Sequence, residues 1–405
     1  YEISCSLVGS EMCIRDREIG GAESALLGIL ENIDTEIYQV DLFLMRHEGE
    51  LLKFIPRNIN LLPEIPEYTV LARPIKDVIK ERHFLLAVAR LYAKYKAKVF
   101  DKKKKYTESG VAIEYSHKYT KRFMPTIQPD VQYDMAISFL TPHYFVTEKV
   151  QAKQKIAWIH TDYSVVQVDT ESELAMWKPY DYIASISEDV THSFLKTFPS
   201  LKKKMILIEN ILPKTLIEKQ AEELVQKKFD TQTTNLLSIG RFATPKNFDN
   251  VPDICKRILE KGINVKWYLI GYGGDETLIR KKIDEAGMQN RVIILGKKEN
   301  PYPYIKMCDI YVQPSRYEGK CVAVREAQML GKPVIITNYA TSGSQLEDGV
   351  DGIIVPMDNK GCADKMAEVL INTTLKKKIV ENVRQRDYTN AKEIEKINRL
   401  IKGIQ

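Results

Sequence analysis

Residues 310–337 read IYVQPSRYEGKCVAVREAQMLGKPVIIT, and this stretch decides the fold. It opens on a short apolar run, 310–313. A polar loop follows. A helical pattern then runs over 322–330, with Gly331 where a helix stop belongs. A second apolar run, 334–337, completes it. Strand, loop, helix, glycine and strand make one βαβ unit. Strands that are apolar throughout, not alternating, suit a parallel sheet buried on both faces.

Working outward, the same alternation recurs on both sides. Apolar runs at 236–239, 265–270, 292–295 and 353–355 are separated by helical patterns at 250–261, 276–286 and 302–307. Six strands with intervening helices predict one doubly wound α/β domain. Upstream, runs at 38–44, 135–139, 155–159, 182–185 and 205–208 predict a second one. A chain of 405 residues is too long for one core and suits two. We place an N-terminal Rossmann-like domain at 18–210, a connection at 211–234 and a C-terminal Rossmann-like domain at 235–385. A final helix at 386–405 is expected to pack back on the first domain. Residues 1–17 read differently: Met12 to Arg17 is too polar for a buried parallel strand, so 1–17 reads as a non-native segment. The alternative is a divergent but genuine strand at 3–8.

Composition excludes several classes. Apolar residues make up 44% and charged residues 28%, which suits packed cores and not disorder. No run reaches the roughly 18 to 20 apolar residues that cross a bilayer. The nearest, 84–89, is short, flanked by Arg82 and Arg90, and reads as a buried helix. The six cysteines include no CxxC pair, which argues against a zinc site or disulfide framework and fits a reducing cytoplasm. The net charge of +6 is uneven: residues 71–125 hold 15 Lys and Arg against 5 Asp and Glu. That region reads either as a solvated helix face or as a surface drawn to an anionic membrane. No nucleic-acid reader motif accompanies it.

Ligands of doubly wound sheets bind beyond the carboxyl ends of the strands. At the first strand end of the second domain stand Gly240-Arg241, with Lys246 five residues on. Arginine offers a fork and lysine a point charge, a pairing that suits a diphosphate. The second strand ends in Gly271-Tyr272-Gly273-Gly274, which permits a tight turn or close backbone approach but lacks full dinucleotide spacing. The fourth ends in Pro314 to Gly319, with Glu318 in the loop. A helix begins near Cys321 and Val322 and carries Glu326. Free amides at a helix start favour a phosphate, and a carboxylate beside it can accept sugar hydroxyls. Two glutamates at this spacing also occur as solvated surface residues.

Context sharpens that reading. Pro314-Ser315-x-x-Glu318-Gly319, Glu326-Ala327 and Gly331-Lys332-Pro333-Val334 together resemble the donor-site signature of family 4 retaining glycosyltransferases. Gly240-Arg241 with Lys246 upstream and Glu347-Asp348-Gly349-x-x-Gly352 downstream stand in matching order. In the first half, Gly20-Gly21-Ala22-Glu23, the stretch Ile156 to Asp162 around His160, and Ser185-x-Ser187-Glu188 are similar to further family turns. The wording around His160 and Thr341 to Gln345 is closest to enzymes of bacterial surface and capsular polysaccharide assembly. Lys320 and Cys321 replace the usual aromatic residue and glycine, and Ser344 stands where many relatives carry glutamate.

The resemblance implies a GT-B architecture, two Rossmann-like domains facing across a cleft. It implies transfer of a hexose or N-acetylhexosamine from a nucleotide sugar, a UDP-sugar, to a glycan or lipid-linked acceptor, with retention and with neither cofactor nor metal. Arg241, Lys246 and backbone near Cys321 and Val322 would meet the diphosphate, Glu326 the ribose, and Glu318 and His160 the donor sugar. Gly20 and Gly21 would form the first-domain turn. Work in the cytoplasm, or on the inner face of the membrane, fits. Two rivals remain at this level. One is a degenerate, non-catalytic partner or regulatory subunit. The other is a nicotinamide-dependent oxidoreductase, which needs an acid after strand 292–295, where Gly296-Lys297-Lys298 stands instead.

Overall fold

The computed structural model describes residues 3–9, 21–71, 73–106, 109–141, 143–161, 163, 166–225, 228–318 and 321–403. The chain divides into two compact units, Tyr1–Ile211 with Asn390–Gln405, and Leu212–Thr389.

The first unit is built on a seven-stranded parallel sheet. Its strands are β1 (Ile3–Gly9), β2 (Tyr38–Leu44), β3 (Asn60–Leu61), β4 (Tyr133–Ser138), β5 (Ala152–Ile159), β6 (Tyr182–Ser185) and β7 (Met205–Leu207), in the order β3-β2-β1-β4-β5-β6-β7. The strand that the alternative reading set at 3–8 is β1, paired in parallel with β2 and β4. Residues 1–2 and 10–20 lie outside the described residues, and with them ten of the seventeen positions read as non-native. The helix Gly21–Asn32 follows. The final helix, Ile394–Ile401, belongs to this unit: Lys396 Nζ donates to the Leu207 carbonyl at 2.9 Å and Asn390 Nδ2 to Glu209 at 3.1 Å.

One expectation for this unit is corrected. Residues 84–89 are helical, as expected, but bury only three of their six side chains, Leu86, Ala87 and Ala89. They open the 21-residue helix Phe84–Lys104, whose Leu86, Ala87, Ala93 and Ala97 face the core. Phe84, Leu85 and Val88 stand 58%, 65% and 63% exposed. The helix packs through Leu86 and its alanines, and this turns Phe84, Leu85 and Val88 outward.

The second unit carries β8 (Thr234–Ile239), β9 (Val265–Ile270), β10 (Val292–Gly296), β11 (Ile310–Gln313), β12 (Val334–Thr337) and β13 (Ile353–Val355). All run parallel in the order β10-β9-β8-β11-β12-β13. Strand order reverses at β8 and β11, where Ile310 faces Leu236 and Tyr311 faces Leu237. Alternate residues serve two cores, as a period of two dictates. Leu236, Trp267, Ile310 and Ile335 pack on one face, while Leu237, Tyr268, Tyr311 and Ile336 pack on the other. The unit reaches beyond the 235–385 span expected for it. Leu212, Ile217 and Ala221 of the 211–234 stretch lie in its core, and Phe229 stacks on Tyr268 with ring centroids 3.9 Å apart.

Two glycines lock the strand ends together. Gly271 has φ +149° and Gly273 +155°. A Cβ at Gly271 would come within 1.9 Å of the Gly240 carbonyl, and one at Gly273 within 2.3 Å of the Phe242 carbonyl. The glycine run after β9 therefore lies flush against the loop after β8, and Phe242 N–H donates to the Tyr272 carbonyl at 2.7 Å. The glycines serve backbone packing. Gly271→Ala should destabilise the protein by about 2–5 kcal/mol, from overlap and backbone strain together. Gly274→Ala, which meets nothing within 4 Å, should stay within ~0.5 kcal/mol of the parent. Thermal melting of the two variants compares them.

Candidate functional site

The site grows from the switch point between β8 and β11. The β8 loop contributes Arg241 and Lys246, and the β11 loop contributes Glu318. Pro245 sits at the start of a short 3-10 turn, Thr244–Lys246, which Asn247 ends in a left-handed conformation at φ 60°. That turn is held from across the switch point. Asn247 Nδ2 donates to the Pro314 carbonyl at 2.8 Å, and Arg316 N–H donates to the Pro245 carbonyl at 2.8 Å. The Arg316 guanidinium grips Asp249 through two contacts of 2.9 and 2.8 Å, the fork geometry that gives arginine pairs their specificity.

Lys246 and Glu318 meet on this scaffold. Lys246 Nζ donates to Glu318 Oε1 at 2.6 Å, with Glu318 buried and Lys246 half-buried. The same oxygen accepts from Ser315 Oγ at 2.6 Å and Gln313 Nε2 at 3.2 Å. A relay stands behind it: Tyr311 OH donates to Gln313 Oε1 at 2.7 Å, and Gln313 Nε2 also donates to Ser315 Oγ at 2.9 Å. Three donors thus saturate Oε1. Among the described residues Oε2 accepts no hydrogen bond. Glu318 is a carboxylate oriented through one oxygen, with the other left for a ligand.

Arg241 is exposed, and among the described residues its guanidinium has neither a carboxylate nor a hydrogen-bond partner. It is a fixed-origin cation at the end of β8, beside a lysine already paired.

The helix start departs from expectation. Cys321 caps the helix Val322–Met329, but its amide is not free: Cys321 N–H donates to Gln345 Oε1 at 2.7 Å, and Gln345 Nε2 returns to the Cys321 carbonyl at 3.3 Å. Among the described residues the unpaired amides are those of Val322 and Ala323, one step further in. Burial pushes the Cys321 thiol up to about 12, with nearby Glu318 adding to the effect. It offers no thiolate beside the site. Gly319 and Lys320 lie outside the described residues.

Glu326 sits on the same helix, half-buried, with Oε1 accepting from Tyr302 OH at 2.9 Å. Burial raises its carboxyl to about 7, against a smaller lowering by the Tyr302 hydrogen bond. A group that titrates near neutrality gains or loses charge with small changes in its partners.

His160 belongs to the first unit, at the end of β5. Burial lowers it to about 4, opposed by a hydrogen bond to the Phe139 backbone, so it is neutral at pH 7. Its ring lies 4.6 Å from that of Phe139, and Nε2 is buried with no partner among the described residues. Gly21 begins the helix after β1; Gly20 lies outside the described residues. The structure therefore joins Lys246 to Glu318 directly and holds Arg241, Val322 and Glu326 on the loops and helix of the same unit. Gln313 and Gln345 were not singled out from the sequence. A glutamine ending the otherwise apolar run 310–313 is the signal for the first. Gln345 ends the Thr341 to Gln345 stretch noted for its resemblance, but nothing in that stretch points to the Cys321 amide.

Comparison with known proteins fits this geometry. Residues 219–386 match the family described as glycosyl transferases group 1. The second unit is a glycosyl transferases group 1 domain. An uncharacterised glycosyltransferase of Methanocaldococcus jannaschii is 28% identical over 152 residues, 37% of each chain. The capsular polysaccharide biosynthesis glycosyltransferase CapM of Staphylococcus aureus is 27% identical over 223 residues, 53% of this chain and 58% of that one. The chain thus spans less than two thirds of these relatives' length. The crystal structure of Anabaena HepE in complex with UDP superposes over 99% of this chain and 100% of that one, at 15% identity and a TM-score of 0.58. The fold is GT-B, with two Rossmann-like units.

In this group 1 domain, Glu326 gives a pH test. Its folded value of about 7 exceeds the usual 4.5, so the folded state keeps a proton that the unfolded chain releases. That linkage lowers stability as pH rises from 4.5 through 7. Glu326→Gln keeps an acceptor for Tyr302 and removes the ionisation. Its melting temperature relative to wild type should be level at pH 4.5 and higher at pH 8, equivalent to ~1–3 kcal/mol. Melting at both pH values reads the difference.

Proposed function

We propose that the chain is a retaining glycosyltransferase of the family 4 type. It moves a hexose or N-acetylhexosamine from a UDP-sugar to a glycan or lipid-linked acceptor in polysaccharide synthesis. The observation that carries the reading is the Lys246–Glu318 pair across the switch point, with unpaired Arg241 beside it. When the bond between the anomeric carbon and the diphosphate oxygen breaks, negative charge grows on the departing UDP. Arg241, Lys246 and the amides of Val322 and Ala323 are assigned to that charge, since fixed donors stabilise it without reorganising. Glu318 Oε2 is assigned to donor-sugar hydroxyls and to the positive charge that develops on the ring. Glu326 is assigned to the ribose hydroxyls, which donate to an ionised carboxylate. The role of His160 toward the donor sugar rests on the resemblance and on its unpartnered, neutral Nε2.

UDP-bound HepE supports a uridine donor, and CapM supports a capsule or surface glycan product. We place the enzyme in the cytoplasm, with the basic 71–125 region drawn to an anionic membrane surface where lipid-linked acceptors lie. No helix among the described residues is long and apolar enough to cross a membrane.

A thermal-shift screen of UDP-glucose, UDP-galactose and UDP-N-acetylglucosamine should show protection by at least one. Arg241→Ala and Glu326→Ala should each weaken that ligand about 10- to 100-fold. Proton NMR of the transfer product should show the donor's anomeric configuration. The reading fails if no sugar nucleotide protects the protein, or if both variants bind as wild type.

A further inference from the structure

The helix Phe84–Lys104 carries a surface that the donor site does not use. Phe84, Val88, Leu91, Tyr92, Tyr95 and Val99 are all exposed, Tyr95 by 64%. Their spacing places them within an arc of about 100° on one side of the helix. The opposite side is the buried alanine face, Ala93 and Ala97, packed on Val111 and Tyr115 of the neighbouring helix Val111–Thr120. A helix that buries Leu86 and four alanines and turns aromatic and branched side chains outward departs from the usual soluble pattern, in which the outer face is polar. Charge completes the pattern. Lys94, Lys96, Lys98 and the run Lys102 to Lys105 are exposed, and Asp101 is the only acid in the helix. Lys96 and Lys98 flank the apolar arc on its two sides, where long stems can lie along acyl chains with the ammonium groups at the headgroups.

We infer that this helix lies in the surface of an anionic bilayer, with the apolar arc in the acyl boundary and the lysines on lipid phosphates. The inference rests on reading 71–125 as a lipid-facing region and names the side chains that enter. The helix is about 30 Å long but apolar on one side only, which suits lying in the interface and not spanning it. A second copy of this chain is the poorer occupant. A two-fold interface sets each patch against itself and would bring seven lysines against seven.

The test uses the full chain and vesicles of phosphatidylcholine, alone or mixed equally with phosphatidylglycerol, without nucleotide. Wild type should sediment with the mixed vesicles and not with the neutral ones. Val88→Gln/Leu91→Gln/Tyr95→Gln and Lys94→Gln/Lys98→Gln/Lys102→Gln should each weaken binding at least about tenfold, with melting temperatures unchanged. Tyr95→Trp adds an exposed reporter to a chain whose Trp158, Trp177 and Trp267 are buried, and its emission should shift to the blue on binding. Loss in the lysine variant alone, with no blue shift, overturns insertion and leaves the anionic-surface reading standing. No vesicle binding by wild type overturns both. A dimer in sedimentation equilibrium that the apolar variant dissolves also overturns the inference. Glu318→Gln should bind vesicles as wild type, which separates this outcome from the donor site.

Discussion

The ion pair between Lys246 and Glu318 is the constraint on which the second unit's site depends. It joins the loop after β8 to the loop after β11, the two strands where sheet order reverses. Taking two charges out of water is costly, and Coulomb attraction offsets that cost only where further hydrogen bonds satisfy the remaining atoms. Here those bonds are present on one side only. Ser315 and Gln313 converge with Lys246 on Oε1, and Tyr311 holds Gln313 from behind. The carboxylate is thereby turned so that Oε2 faces away from its protein partners. The pair also puts Lys246 in a position where an incoming diphosphate competes with Glu318 for it. Under the proposed function, donor binding would exchange one anion for another on Lys246 and free the carboxylate for the sugar.

The surrounding groups divide the charge in a consistent way. Arg241 is unpaired among the described residues and exposed, so its guanidinium is available to an anion. Arg316 is committed to Asp249 and acts on loop shape. The amide of Cys321 is committed to Gln345, which shifts the available helix-start donors to Val322 and Ala323. Glu326 stands near its midpoint at neutral pH because burial outweighs the one hydrogen bond it accepts among the described residues, from Tyr302. Additional hydroxyl donors would favour its ionised form.

Much of this was legible in the sequence, for physical reasons. The run 310–337 showed strand, loop, helix and strand because both sheet faces are covered and each strand must be apolar throughout. Arg241, Lys246, Glu318 and Glu326 became candidates because they stand at strand ends, where such sheets bind ligands, and the family resemblance supplied the roles proposed for them. What stayed hidden depends on tertiary pairing. Nothing local says that Gln345 will take the Cys321 amide, or that Gly271 and Gly273 serve the backbone of Gly240 and Phe242. The stretch 211–234 looked like a connection because it is polar overall, yet Ile217, Ala221 and Phe229 bury in the second unit. Residues 84–89 looked buried because they are apolar. Which side of a helix faces inward is settled by its tertiary partners, here the helix Val111–Thr120, against which Ala93 and Ala97 pack.

The central claim is that Lys246 is held by Glu318 until a diphosphate takes it. Calorimetric titration of UDP into wild type, Lys246→Met and Glu318→Gln tests it directly. Removing the competing carboxylate charge should make Glu318→Gln bind UDP more tightly than wild type, by about 3- to 30-fold, while Lys246→Met binds about 10- to 100-fold more weakly. Equal UDP affinity in all three proteins, or weaker binding in Glu318→Gln, would contradict the account.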